Sequence, residues 1–579
     1  MEPTAQKSRA SGEIDPVMLE CTFIEVPKPR KRKSNGNGEE FEPSKRRSPE
    51  HETTQRPSRN SVQSESTTIV EYDKLKGPTL LKETLGLHSH RHGRFIGSTG
   101  EYEPCLLDLN LYDERGECPL GQAILRKVSD LETFQMLPDE GTQRHQEEFK
   151  DLDAIEAIVA PYGQALINLY FRIVHPSFPI LHKRVYLEKY NRTWREFSPP
   201  LLAATYILAL NWWAYSPDLA HLPKPNVSEL EELAFKTIND VIHRPKISTV
   251  QAGLLLLQRP KQEYSWAFTA QIVAVGQDLG LHLDCSSWTI PQWEIGLRKR
   301  LAWALYMQDT WASLIYGRPP HISRSNWAVR PVTDTDFPES AADEDDEDGS
   351  TGVETGRTLF GRMVTLSEIT REILEELWSW KAGLEVQDTG ANKTKMVLEK
   401  AKPLQLKLKL WHAALPESLQ IENIKGRKLS STGYLHLAYF TAEITLHRNI
   451  VRSLSSDTDP FLKEICRSAA RDRLIHATDM FNKLKPEHLQ SFWYFASKVN
   501  FALIGTFNSL LWITSQSKEE ADFYQRRLQE YRWALRVSSK SAEFLEIASG
   551  ILDRAVAVLV KAVSKISPDV PNTSKNSDH

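Results

Sequence analysis

From Leu201 to Ala214 the chain runs for 14 residues that are apolar on nearly every face of a helix, interrupted by Asn211. A segment of that kind cannot sit on a wetted surface, because a helix that is hydrophobic all round has to be enclosed by other elements. It is also shorter than the roughly 18 to 20 residues needed to cross a bilayer. The expectation is therefore a soluble protein with a buried central helix. Its start is marked by Ser198 at the N-cap position and Pro199 at the first helical position, where a missing N–H costs nothing.

Neighbouring helices can be read from the same periodicity. Phe268, Ile272, Val275 and Leu279 recur at +4, +3 and +4, and Gly280 is placed to end that helix. Leu297, Leu301, Ala304, Leu305, Ala312 and Ile315 form a second stripe, closed by Gly317 with Pro319 and Pro320 beyond it. The turn from Trp288 to Gln292 should join the two. Later, Leu437, Ile444 and Val451 fall at heptad spacing while Leu446 and Ile450 occupy another face, so that helix is buried on more than one side. Further helical stretches are predicted over 393–414, 461–484, 492–514 and 519–563. Strand-like alternation is scarce and no fixed repeat of 34 or 40 residues occurs, so the fold class is all-α, a large multi-helix body with a disordered N-terminal tail.

Composition sets the boundaries. Residues 1–70 are rich in Ser, Thr, Pro, Asn, Glu, Lys and Arg and poor in large apolar residues, so burial cannot offset the entropy of ordering them. Within this tail Lys28, Arg30, Lys31, Arg32 and Lys33 are followed after a spacer by Lys45, Arg46 and Arg47, the two-cluster layout of a bipartite nuclear-import signal. An ordered accessory segment is expected over 71–118, a linker over 119–150, a helical region over 151–340 and an acidic loop over 341–356. The helical body should resume over 357–566, and 567–579 should form a second disordered tail. The acidic loop contains six consecutive acids, Asp343 to Asp348, which repel one another and stay solvated.

Several chemistries lack their signatures. Lys and Arg total 72 against 76 Asp and Glu, a net charge of -4, so no chain-wide positive field exists to hold nucleic acid or an acidic membrane. The N-terminus has no apolar h-region, and secretion is not indicated. Five cysteines without C-x2-C spacing fit a reducing compartment. The phosphate-binding, acyl-transfer and zinc-protease motifs are missing. His88, His90 and His92 alternate as metal ligands on a strand would, but lack a fourth ligand at usable spacing. Two alternative readings remain, a helical scaffold outside transcription and a magnesium-dependent all-α enzyme using the Asp343–Asp348 acids. The same acids could also serve as an activation segment.

From Tyr170 to Pro338 the chain resembles the fungal-specific transcription factor domain, the middle homology region of zinc binuclear-cluster regulators. The resemblance is carried by Val174-His175-Pro176-Ser177-Phe178-Pro179-Ile180-Leu181-His182, Ser198-Pro199-Pro200-Leu201, and Gly280-Leu281-His282-Leu283-Asp284. Tyr170-Phe171, Thr249-Val250-Gln251-Ala252 through Leu257, Arg298-Lys299-Arg300-Leu301-Ala302-Trp303, Asp309 and Gly317-Arg318-Pro319 complete it. The segment Thr79–Asp113 looks like the branch that co-activates nitrogen-catabolism genes.

The resemblance implies a nuclear, non-enzymatic regulator whose helical body engages other transcription factors and the transcription machinery, with an import carrier as a further partner and DNA contacted weakly or indirectly. It also implies a six-cysteine module holding two zinc ions ahead of a basic linker. Only Cys21 lies before residue 100, so no cofactor is expected in this chain and zinc only with an upstream cluster. Among the motif residues, His175, His182 and His282 read first as core or helix-end histidines, and Arg318 as part of a turn capping the preceding helix. Trp212, Trp213, Trp303 and Trp311 read as core, with a small-effector pocket as the alternative.

Overall fold

Every residue of the helix Pro199–Ala209 is buried. The computed structural model describes residues 72–566 except 77, 89, 260–264, 341–350, 425, 427 and 541. Both tails, the basic clusters at 28–33 and 45–47 and the acid run 343–348 lie outside the described residues.

Along the chain the helices begin with α1 (Pro104–Leu107), α2 (Glu148–Val159), α3 (Gly163–Leu169), α4 (Lys183–Arg192), α5 (Pro199–Ala209) and α6 (Val227–Val241). They continue with α7 (Ile247–Leu257), α8 (Ser265–Asp278), α9 (Gln292–Tyr316), α10 (Val353–Ile373), α11 (Trp380–Asp388) and α12 (Lys393–Ala413). The last are α13 (Thr432–Ser453), α14 (Pro460–Asn482), α15 (Pro486–Leu489), α16 (Ser497–Ile513), α17 (Lys518–Ser539) and α18 (Glu543–Ile566). The class is all-α, and among the described residues no single helix is long and apolar enough to cross a membrane.

One continuous apolar core runs from Leu152 on α2 to Val556 on α18. The stretches before and after the acid run therefore form one body. Contacts across that division are direct: the Trp212 indole N–H donates to the Gln490 carbonyl at 2.8 Å, and Phe178 stacks on Phe492. At roughly 1.5–3 kcal/mol for each large apolar side chain withdrawn from water, this shared core is the main cohesive term.

The helix-end signals hold. Gly280 (φ 68°) and Gly317 (φ 62°) adopt the left-handed conformation that stops α8 and α9. Ser198 does occupy the N-cap position of α5, but its side chain makes no capping bond and its Oγ is buried without a partner.

Three boundaries differ from the sequence expectation. Residues 119–138, read as linker, carry strands. An antiparallel sheet of β1 (Arg91–Phe95), β2 (Glu117–Leu120), β3 (Ala123–Lys127) and β4 (Thr133–Pro138) has the order β1-β4-β3-β2. Phe134 and Met136 of β4 pack against Trp288 and Ile295, so only one face is apolar and each strand is too short to show a long alternation. The stretch 492–514 becomes helical only at Ser497, because the preceding aromatics Phe492 to Phe495 are all buried as a non-helical plug. The stretch 519–563 is two helices, α17 and α18, which pack on α16.

Candidate functional site

The family-motif residues converge around α9, from which Arg300, Trp303 and Asp309 reach three separate segments. Arg300, with no exposed surface, donates from Nη1 to the Pro179 carbonyl at 2.5 Å and the Leu181 carbonyl at 3.2 Å. It thereby ties the turn that follows a π-helical stretch at Tyr170–Val174. Burial lowers its pKa to about 10, against the opposing pull of Glu339 and Asp336.

Beside it, His175 Nε2 lies 3.2 Å from Glu339 Oε1. Burial alone would raise the Glu339 carboxyl, but His175, Arg300 and His182 hold it well below the usual range. Pro176 and Pro179 are buried in the same turn. His182 Nδ1 accepts from the Val185 N–H at 3.3 Å and so caps α4. Burial, with Arg300 adding to it, lowers the His182 pKa to about 4, so the ring is neutral and able to accept.

The other end of α9 holds the loop beyond Gly317. The Gly317 and Arg318 N–H groups both donate to the Ser313 carbonyl, while Arg318 and Pro319 are exposed. Arg318 is thus part of the helix-capping turn. Asp309, fully buried, accepts from the His321 and Ile322 N–H groups, lies 2.8 Å from His321 Nδ1 and pairs with Arg371 of α10. The Trp303 indole N–H donates to the Arg330 carbonyl at 2.8 Å, and the Arg330 guanidinium in turn binds Asp284 at 2.5 Å. Leu281 is buried, and the His282 carbonyl accepts from the Ala328 N–H. The His282 ring meets Phe95 of the sheet edge-on.

These residues form a clamp of opposite charges and backbone bonds whose centre, Arg300, Asp309 and Arg371, is buried. Arg300, Trp303, Asp309 and Arg371 spend polar atoms on other parts of the chain itself. The clamp fixes the relative positions of α9, α10 and the two loops.

The four tryptophan indoles are each bonded to a different part of the chain, and Trp212 also lines a cavity. Trp212 donates to the Gln490 carbonyl, Trp213 to the Leu222 carbonyl, Trp303 to the Arg330 carbonyl and Trp311 to Ser367 Oγ. Among the described residues no group of three or more His, Cys, Asp or Glu is placed to hold a metal ion. His92 Nδ1 instead lies 2.8 Å from Asp139, while His88 and His90 line a cavity with Gly86. The four described cysteines are unpaired.

Sequence reasoning missed the partners Glu339, His321 and Arg371. Glu339 and Arg371 are remote in the chain from the residues they serve, His321 lies 12 positions beyond Asp309, and nothing in the local pattern of any of them sets it apart.

The match to known proteins follows the same segment. Residues 167–413 match the model of the fungal specific transcription factor domain. Among curated relatives, a transcriptional activator protein of Saccharomyces cerevisiae, DAL81, is 36% identical over 486 residues, covering 78% of this chain and 50% of that protein. An uncharacterized transcriptional regulatory protein of Schizosaccharomyces pombe is 29% identical over 46% of the chain and 42% of its own length. The acetamidase regulatory protein of Aspergillus oryzae is 27% identical over 59% of the chain and 42% of its own length. The chain spans half or less of the length of these relatives. No solved structure matches it significantly.

Proposed function

We propose that this protein is a nuclear regulator of transcription, acting as a co-activator on nutrient-catabolism genes, nitrogen catabolism first among them, through protein contacts made by its helical body. The carrying observation is the match of residues 167–413 to the transcription factor domain, whose motif residues are used to lock α9 to its neighbours. Supporting it are the relatives named as a transcriptional activator and an acetamidase regulatory protein.

In this reading Lys28, Arg30–Lys33 and Lys45–Arg47 serve the import carrier, and their contribution to DNA is limited to salt-sensitive phosphate contacts. Specific base reading would come from a DNA-bound partner protein, or from a zinc cluster if the transcript encodes one upstream of Met1.

The test is a fluorescent fusion of the full chain together with a reporter to which the chain is tethered by a heterologous DNA-binding domain. The tethered chain should raise reporter transcription, and alanine at the eight basic positions should abolish nuclear accumulation of the untethered fusion. A tethered chain with no effect on transcription would remove the reading.

A further inference from the structure

A cavity lies where the accessory segment meets the helical body. Gly86 and Leu87 form one side, and α2, α4, the start of α5 and the segment joining α6 to α7 form the others. Its walls are mixed: Phe149, Val185, Phe197, Leu201 and Val241 supply apolar surface, and the carboxylates Glu148 and Glu196 line it together with several cations.

The cations on its wall are not equivalent. Arg244 is paired with Glu148 at 2.7 Å, Lys246 with Asp139 at 2.6 Å and Arg195 with Asp153 at 2.7 Å. Lys189 differs from all three. It is 9% exposed, its ammonium lies 5.1 Å from the centroid of the Tyr72 ring, and among the described residues no carboxylate forms an ion pair with it. Glu188 and Glu196, which act on it electrostatically, are both bound by Arg192, at 2.9 and 2.6 Å. Burial lowers the Lys189 pKa to about 8, which still leaves it charged at neutral pH. Ser198 Oγ, on the same wall, is buried without a hydrogen-bond partner.

A buried ammonium with no counter-ion and a buried hydroxyl with no partner are both costly, and each is relieved by an acceptor that is negatively charged. We infer that this cavity binds a small organic carboxylate with an apolar body, its head on Lys189 and Ser198 and its body against Leu87, Phe149 and Val241. The inference rests on the cavity alone and is independent of the role in transcription.

Titration calorimetry on the full chain with hexanoate, acetate and hexan-1-ol tests it. Hexanoate should bind saturably, whereas acetate, lacking the apolar body, and hexan-1-ol, lacking the charge, should each bind at least about tenfold more weakly. Lys189→Met should weaken hexanoate by at least about tenfold and Lys189→Arg by less than that. Lys189→Met removes an unpaired buried charge, so the variant should fold; the three-ligand comparison on the unaltered protein stands without it. Absence of hexanoate binding, equal binding of either control compound, or unchanged binding in a folded Lys189→Met variant would each overturn the inference. None of these outcomes bears on the tethered reporter.

Discussion

The Asp309 carboxylate lies 2.7 Å from the Arg371 guanidinium, and neither side chain has exposed surface. Burial opposes the ionised carboxyl, but His321, Arg371 and the backbone N–H groups of His321 and Ile322 outweigh it, and the Asp309 pKa is lowered. Removing one member of such a pair leaves the other charge stranded, which costs about 3–5 kcal/mol. Asp309→Ala should therefore lower the urea midpoint sharply. Replacing both residues with apolar ones of similar volume, as in Asp309→Leu with Arg371→Met, should recover at least about half of that loss. A cycle of urea melts on the two single variants and the double variant measures both quantities.

Close approach of α10 to the motif turn gives a second prediction. A Cβ built on Gly356 would overlap the Pro176 carbonyl, which is backbone and has little freedom to withdraw. Gly356→Ala should destabilise the chain by about 1–3 kcal/mol despite the helix-favouring character of alanine. Gly361, on the same helix, has open space beside it, so Gly361→Ala should leave thermal stability unchanged or raised by up to about 1 kcal/mol. Differential scanning fluorimetry on the two variants separates packing from propensity.

Much of this arrangement could be read from the chain. The apolar run ahead of Ala214 marks the enclosed helix, and Gly280 and Gly317 mark helix ends because a left-handed residue is the cheapest way to stop one. Local rules of this kind act within a turn or two and leave a sequence trace. The sheet was less legible, because strands of four to six residues with one apolar face resemble loop composition. The partners of the motif residues were not legible at all. Arg371 meets Asp309 across 62 positions, and Glu339 meets His175 across the whole first half of the body, through contacts fixed only by how the helices pack.

Three buried histidines make stability depend on pH. Burial, chiefly, lowers the pKa of His182, His436 and His447 to about 4 from an ordinary value near 6.5. A depressed folded pKa means that the unfolded chain takes up the proton first. The contribution is therefore complete above pH 6.5 and is lost progressively as pH falls toward 4. Each histidine should contribute a loss on the order of 2 kcal/mol by pH 5. Urea midpoints should fall steeply from pH 7.5 to pH 5, and His436→Gln should make that fall shallower. Equal midpoints at the two pH values would contradict the neutral, buried placement of these rings.

Glu294 gives the last prediction, because it holds the accessory segment to α9. Its carboxylate, with no exposed surface, accepts from Thr84 Oγ1 at 2.7 Å and from the Leu85 and Gly86 N–H groups, both at 2.9 Å, while Arg298 Nε donates to it at 3.0 Å. Glu294→Ala strands all four donors, a loss of about 2–5 kcal/mol concentrated where the segment docks. Amide hydrogen exchange should therefore accelerate by more than about tenfold at residues 84–87, while α5 and α13, remote from the lost bonds and inside the main core, keep their protection. Gly86 and Leu87 also form one side of the Lys189 cavity, so the same variant should bind hexanoate more weakly even though Lys189 and Ser198 are intact. If exchange instead rose together in α5 and at residues 84–87, the segment would be an integral part of the helical body that cannot open separately.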